Sequence, residues 1–478
     1  MIQTPRTIRL RTACLALAMI GLATRDASVQ KSPGVISEAS VRGHMEFLAS
    51  DAMQGRGSGT EDEWRAATYM GSQMRRWGIE PLGDAGGFVK QIATGRTTVS
   101  AAPTLTIHNA TYTHGREMLV QAIGGGSVTG PLTIYKAGAT APAGSVLFVP
   151  AAVTPEPAEI AGAAMVVTAE TPQVRATWNT AGAQMPGTGG GRGRGGQTPA
   201  QARVVLATDA FNVVVNLAQQ GAPVSFKVET KPGYTWDAIG KLTGSDPKLS
   251  DQVILLTAHL DHLGVRGNGP DRIYNGADDD ASGSTAVLEL AEALATGPRP
   301  KRTVIFAWFG SEESGGAGAR DFLDHPPVPI KQIVANLEFE MIANRDAAVP
   351  AHTLWLTGYD CSTLGPDLAK QGAHLVADPH PEQGFFARSD NIQLARQGII
   401  AQTVSSFDVN RKPSTYHQAT DEVSTVDFAH MTDAIQSMLK PVLWLTNSTY
   451  TPTWLEGKDP SKGGNCGARP GRGGGAGR

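Results

Sequence analysis

From Trp236 to Ser448 the chain alternates short apolar runs with segments of helical period, and this constrains its fold more than any other feature. QVILLTAH, RTVIFAWFG, IVANLEFEMI, TLWLTG and GIIAQTVSS read as strands. Ala286 to Ala295, Gly318 to Leu323 and Val426 to Leu445 read as helices. The first strand is almost wholly apolar, as expected where both faces of a sheet are covered. The pattern predicts an α/β fold, a mostly parallel sheet sandwiched by helices. Ligands of such sheets gather beyond the carboxyl ends of the strands.

The residues just beyond each strand are therefore informative. His259 and Asp261 come after VILLTA of the first. Asp278, Asp279 and Asp280 open the next helix, and Glu312 and Glu313 come after RTVIFAWFG. Glu340 comes at the end of VANLEF, with Glu338 two residues earlier on the same side of the strand. Tyr416 and His417 lie in the loop before the last helix. Alone, each motif has a structural explanation: HLD a turn, SEES a helix start, the Asp run a cap. Together they deliver five or more carboxylates to one crevice, where burial without a cation costs several kcal/mol each. Divalent metal removes that cost, and a mixed carboxylate–imidazole set suits zinc.

The rest of the chain differs in texture. Ser37 is placed to cap a helix carrying Val41, Met45 and Leu48 on one face, and a second helical stripe runs from Trp64 to Met74. Between residues 98 and 231, TLTIH, PLTIY, SVLFVP, AMVVT and RVVLAT are separated by Gly, Pro and Ala, predicting a β-rich insert without a cluster of acids and histidines. The N-terminus has Arg6, Arg9 and Arg11 before an apolar run from Ala13 to Ala23. That run is shorter than the about 20 residues a membrane helix needs, and reads as an export signal over residues 1–27. The mature protein is then expected in the periplasm or outside the cell, with no stable membrane span. Gly189–Gly196 and residues 456–478 are Gly/Arg-rich and expected to be solvated and flexible. Cys361 and Cys466 are able to pair, but the tail position of Cys466 gives a disulfide little support. Forty-one basic and forty-four acidic residues leave a net charge of −3, which argues against nucleic acid as the main partner.

The stretches TAHLDHLG, YNGADDDASGS, FGSEESG, NLEFEMI, ARSDN and TYHQATDEVSTVD resemble the M28 family of zinc-dependent peptidases, which includes secreted bacterial aminopeptidases. The lead-in LASDAMQGRGSGTEDEWRAATYM is also similar, and the insert, with AGAAMVV, looks like a protease-associated domain. The resemblance implies a discontinuous catalytic domain, residues 37–97 and 232–448, and peptide or protein substrates. It implies two zinc ions. His259, Asp279 and Glu340 would hold one; Glu313, His417 and the bridging Asp279 would hold the other. Asp261 would orient His259, Glu312 would be the general base and Tyr416 would donate to the developing oxyanion. Glu340 is preferred to Glu338 because EMI matches the family's acid–Met–Ile pattern. The alternatives are an M20-like carboxypeptidase or deacylase, a single-zinc glutaminyl-cyclase-like enzyme, and a non-catalytic secreted binding protein. Oligomeric state and side-chain preference have no signature in the sequence.

Overall fold

The computed structural model describes residues 35–151, 153–182, 201–218, 223–267 and 269–466. The expected signal segment and the Gly189–Gly196 patch lie outside these residues.

Four parallel strands form the middle of a nine-stranded sheet, in the order Thr303–Phe309, Val253–His259, Ile333–Phe339, Ile400–Ser405. The flanks are antiparallel: Thr230–Leu242 pairs with Thr303–Phe309, and Leu354–Leu356 with Ile400–Ser405. Side chains alternate between two apolar layers, as the pleat requires. Ile254, Leu256, Val304, Phe306 and Trp308 pack under the helices Glu38–Leu48, Glu61–Arg76, Gly283–Thr296 and Phe428–Asn447. Val253, Leu255, Ile305, Ala307 and Phe309 pack on the other side, against Ala319 and Phe322 of Ala317–Asp324 and Leu394 of Asn391–Ala395. The sheet is thus covered on both faces. Ser37 caps the first helix through an oxygen that accepts from the Ser40 amide, and Val41, Met45 and Leu48 are buried.

The insert is an eight-stranded sheet around its own core, including Leu105, Phe148, Val167, Val204 and Phe226. All five insert strands read from the sequence are present; Ala110–Thr113, Met118–Ile123 and Pro223–Lys227 are additional. Its two connections are the antiparallel strands Val89–Val99 and Thr230–Leu242, paired from Val99 opposite Thr230 to Val89 opposite Ala238 with a shift of register between Pro232 and Tyr234. Entry and exit are therefore side by side, as an insertion into an existing fold requires.

The expectation of a flexible tail from residue 456 is corrected. Residues 456–466 are ordered, and Cys466 is disulfide-bonded to Cys361. The approach to the bridge is tied down by bonds from the Leu455 amide to the Cys361 carbonyl and from the Trp454 indole to the Gly398 carbonyl. Composition alone hides this, because the glycines after residue 462 mask a segment anchored by Trp454 and the disulfide.

Candidate metal centre

The central strands run the same way, so their carboxyl ends meet at one edge. The fully buried strand Val253–His259 presents His259 there. Thr303–Phe309 leads through Gly310 and Ser311 to Glu312 and Glu313, and Ile333–Phe339 leads to Glu340. His417 arrives in the loop after Ile400–Ser405. Ser311, Met341 and His417 have φ of 60°, 53° and 55°. Such values are costly for non-glycine residues and tend to collect at functional sites.

Asp279 is at the centre, 2 % exposed. Its Oδ1 lies 3.2 Å from His259 Nε2. Its Oδ2 lies 3.2 Å from His417 Nε2, and that nitrogen is 2.9 Å from Glu313 Oε1. His259, Asp279 and Glu340 converge as one potential ligand set. A second set joins Asp279 and Glu313 to a residue the sequence motifs do not single out, His262. All five residues expected as ligands are thereby brought together, and Glu340, not Glu338, faces the cluster. Glu338 is turned away and satisfied: its carboxylate accepts from Ser389 Oγ, the Asn391 amide and Thr403 Oγ1.

The outer acids of the Asp triplet hold backbone. Asp280 accepts from the amides of His259, Gly283 and Met341, and Asp278 from that of Ala343. Asp421 accepts from the amides of Asp278 and Asp279 themselves. The buried Arg56 guanidinium donates to the carbonyls of Leu48, Leu260, Asn275 and Gly276, tying the two loops together. Asp421, Arg56 and His262 are not among the residues expected from the sequence. Asp421 lies in TYHQATDEVSTVD and His262 in HLDH, so both sit inside recognisable motifs; Arg56 has no signal beyond its place in the lead-in.

The role expected of Asp261 is corrected. His259 Nδ1 is 3.0 Å from the Asp261 main-chain carbonyl, whereas the nearest carboxylate oxygen is 3.8 Å away. The Asp261 carboxylate instead accepts from the amides of Glu312, at 2.9 Å, and Glu313, at 3.2 Å, and from Ser58 Oγ. Two further buried acids continue the pattern. Glu63 accepts from the Ser311 amide and Thr235 Oγ1, and Asp237 from the Gly310 amide. Four consecutive amides, 310 to 313, therefore rest on three buried carboxylates. In sequence Glu63 reads only as a helix-start acid.

The electrostatics follow from this packing. Burial acts to lower the His417 imidazole, but Asp279 and Glu313 outweigh it and lift it to about 9. Burial and the Asp279 charge push Glu313 up, yet His262 and His417 prevail and hold it at about 2. Glu340 is pushed up to about 7, chiefly by burial. Burial also acts to lower His259, but Asp280, Asp261 and Asp279 raise it well above the usual range.

Beside the cluster a cleft is walled by Met341, Trp355, Phe385, Phe407 and Tyr416, with Glu312 and Arg388 also on its lining. Tyr416 stacks on His417, ring centres 3.9 Å apart, and its hydroxyl is 3.3 Å from an Arg388 nitrogen.

Comparison with known proteins matches residues 237–442 to peptidase family M28. That stretch is an M28 domain. Similar proteins include a probable leucine aminopeptidase of Arthroderma benhamiae, 26% identical over 198 residues, which are 39% of this chain and 52% of that protein. An aminopeptidase of Pseudomonas aeruginosa is 34% identical over 118 residues, 24% of this chain and 20% of its own. The chain thus spans about half, or less, of the curated relatives it matches. In fold it is similar to a zinc aminopeptidase from Bacillus subtilis, with a TM-score of 0.52 and 17% identity over 87% of this chain and 97% of the other.

Zinc, which the family implies, can be tested against the M28 domain's own atoms. His259 Nε2, both nitrogens of His262 and His417 Nε2 are buried without a hydrogen-bond partner, despite their closeness to carboxylates. Buried polar atoms are normally paired, so four left without a partner call for an explanation, and a bound cation supplies one. Imidazole nitrogen and carboxylate oxygen converging on shared points are zinc's donor set. The residues fit the metal.

Proposed function

We propose that this protein is an exported metallopeptidase that holds two zinc ions and removes N-terminal residues from peptides. One observation carries the reading: Asp279 turns one oxygen to His259 and the other to His417, the disposition of a carboxylate shared between two metals. His259, Asp279 and Glu340 would hold one zinc, and Asp279, Glu313 and His417 the other. Zinc held there supplies Lewis acidity toward a carbonyl oxygen and toward water.

The chain's own groups do the rest. Glu312, on the cleft lining, accepts the proton of the attacking water and returns it to the leaving amine. The Tyr416 hydroxyl donates to the oxygen on which negative charge develops. The Asp261 carboxylate holds Glu312 and Glu313 in place through their amides. The apolar wall formed by Trp355, Phe385 and Phe407 receives a substrate side chain and excludes water. Residues 98–231 are assigned as a protease-associated insert.

Export is supported by the Cys361–Cys466 disulfide, since such bonds persist in oxidising compartments. Among the described residues no helix is long and apolar enough to cross a membrane. The test is metal analysis of zinc-reconstituted protein alongside a panel of aminoacyl and N-blocked peptides. Two zinc ions per chain and turnover confined to free amines are expected. A metal-free protein, or equal turnover of blocked peptides, refutes the proposal. N-terminal sequencing of exported protein should find a start between residues 23 and 28; an intact Met1 refutes cleavage.

A further inference from the structure

His262 belongs to none of the roles assigned so far, yet it is as fully enclosed as His259 and Asp280 beside it. Its exposure is 0 %, and neither ring nitrogen has a hydrogen-bond partner. Nδ1 is 3.3 Å from Glu313 Oε1 and 3.7 Å from Asp279 Oδ2. Those are the same two oxygens approached by His417 Nε2, and the His262 and His417 rings meet edge to face with centres 5.7 Å apart.

The fold holds this ring in position from two sides. The His262 amide donates to the Arg56 carbonyl, and Gly57 pairs with His262 in a short parallel bridge. On the other side stands Gly276, with φ of 58°, where a Cβ would run into the His262 ring. Gly276 immediately precedes the segment of the Asp triplet, so one glycine both turns the chain toward Asp279 and makes room for the imidazole. Nδ1 stands close to two carboxylates without the geometry of a hydrogen bond to either, and a buried polar atom left unpaired costs ~1–3 kcal/mol. A metal ion between Asp279 and Glu313 removes the cost at Nδ1.

We infer that His262 is a further metal ligand, on the Glu313–His417 side of Asp279. The inference rests on the zinc reading above and adds to it. The two sides of the centre then differ. Asp279, Glu313, His417 and His262 give one ion four protein donors, the count of a closed site. Asp279, His259 and Glu340 give the other three, the count that leaves a position open. Unequal donor sets imply unequal affinities, with the four-donor side filling first.

The test is zinc titration of the metal-free full chain by calorimetry, with His262→Ala and His262→Asn beside the wild type. Protein labelled with ¹⁵N at histidine provides a second reading on the wild type itself. The wild type should bind two ions with distinct affinities, and three imidazole nitrogens should move to metal-bound shifts. Both variants should lose at least about tenfold in the tighter step, since even partners that only hydrogen-bond to metal ligands are worth about 10–100-fold. Two shifted imidazoles in place of three overturn the inference, whether or not the variants fold. So do variants that bind zinc as tightly as the wild type or more tightly, the result expected of a histidine acting only as a buried counter-charge. A wild type that binds no zinc overturns both this inference and the peptidase reading; one that binds two with only His259 and His417 shifted overturns this inference alone.

Discussion

Asp261→Asn separates two roles that one residue has been given. In the folded chain Oδ1 accepts from the Glu312 amide, while Oδ2 accepts from the Glu313 amide and Ser58 Oγ. An asparagine keeps one carbonyl oxygen and replaces the other by an amide that donates. Ser58 adapts by turning its hydroxyl to accept. The Glu313 N–H does not adapt and is left facing another donor. An unpaired buried amide costs about 1–3 kcal/mol. At about 1–2 °C per kcal/mol for a chain of this size, melting should fall by roughly 1–6 °C. The main-chain carbonyl that holds His259 is unchanged by the substitution. The damage should therefore fall on Glu312 and Glu313: lower kcat, by up to about 100-fold for a shift near 1 Å, and weaker zinc on the Glu313 side. Melting curves, steady-state rates and the histidine ¹⁵N spectrum in zinc read these outcomes. Wild-type melting and kcat would show that the loop does not need the carboxylate. Loss of the His259 signal with the Glu313 side intact would return Asp261 to the role of partner for His259.

Three other outcomes are expected. Glu312→Gln should retain zinc and lose about 10²–10⁴-fold in kcat, whereas Glu313→Gln should lose metal; paired zinc and rate measurements refute the assignment if the two exchange behaviours. The metal-free protein carries His417 at about 9 and therefore charged at neutral pH, so zinc uptake at pH 7 should release protons and tighten as pH rises toward 9. Calorimetry in buffers of different ionisation enthalpy would contradict this if the apparent enthalpy did not change. Cys466→Ser opens a bridge between residues 105 apart and should lower stability by about 2–4 kcal/mol, read by denaturant unfolding and contradicted by a change under 0.5 kcal/mol, on the order of an ordinary surface substitution.

Much of the fold is legible because burial on both faces writes itself as uninterrupted apolar runs. VILLTA and VIFAWF need no context to be read as central strands. The acids and histidines at their ends are legible for the same reason: a charged residue closing such a run has a crevice to occupy. The direction of the flanking strands is not: Leu354–Leu356 lies in TLWLTG, which reads as a strand, but it and Leu375–Ala377 are three residues each and carry no direction in their composition. The division of labour within the centre is also hidden. Nothing in HLDH says which nitrogen meets a carbonyl and which a metal, and nothing in GTEDEW says that Glu63 will be sealed against the Ser311 amide 248 positions away. Those facts belong to distances between segments remote in sequence. The ordered stretch to Cys466 is illegible because glycine content speaks for local freedom and is silent about a distant cysteine.

The centre draws its donors from His259 to His417 and is braced from as far back as Arg56 and Glu63. No short piece of the chain contains it. A nascent polypeptide must bring everything from Arg56 to His417 into register before both sides of Asp279 are occupied. Whatever this centre does, a chain that stops short of His417 lacks a member of the cluster, so the arrangement is the last thing the growing polypeptide completes rather than something a fragment carries.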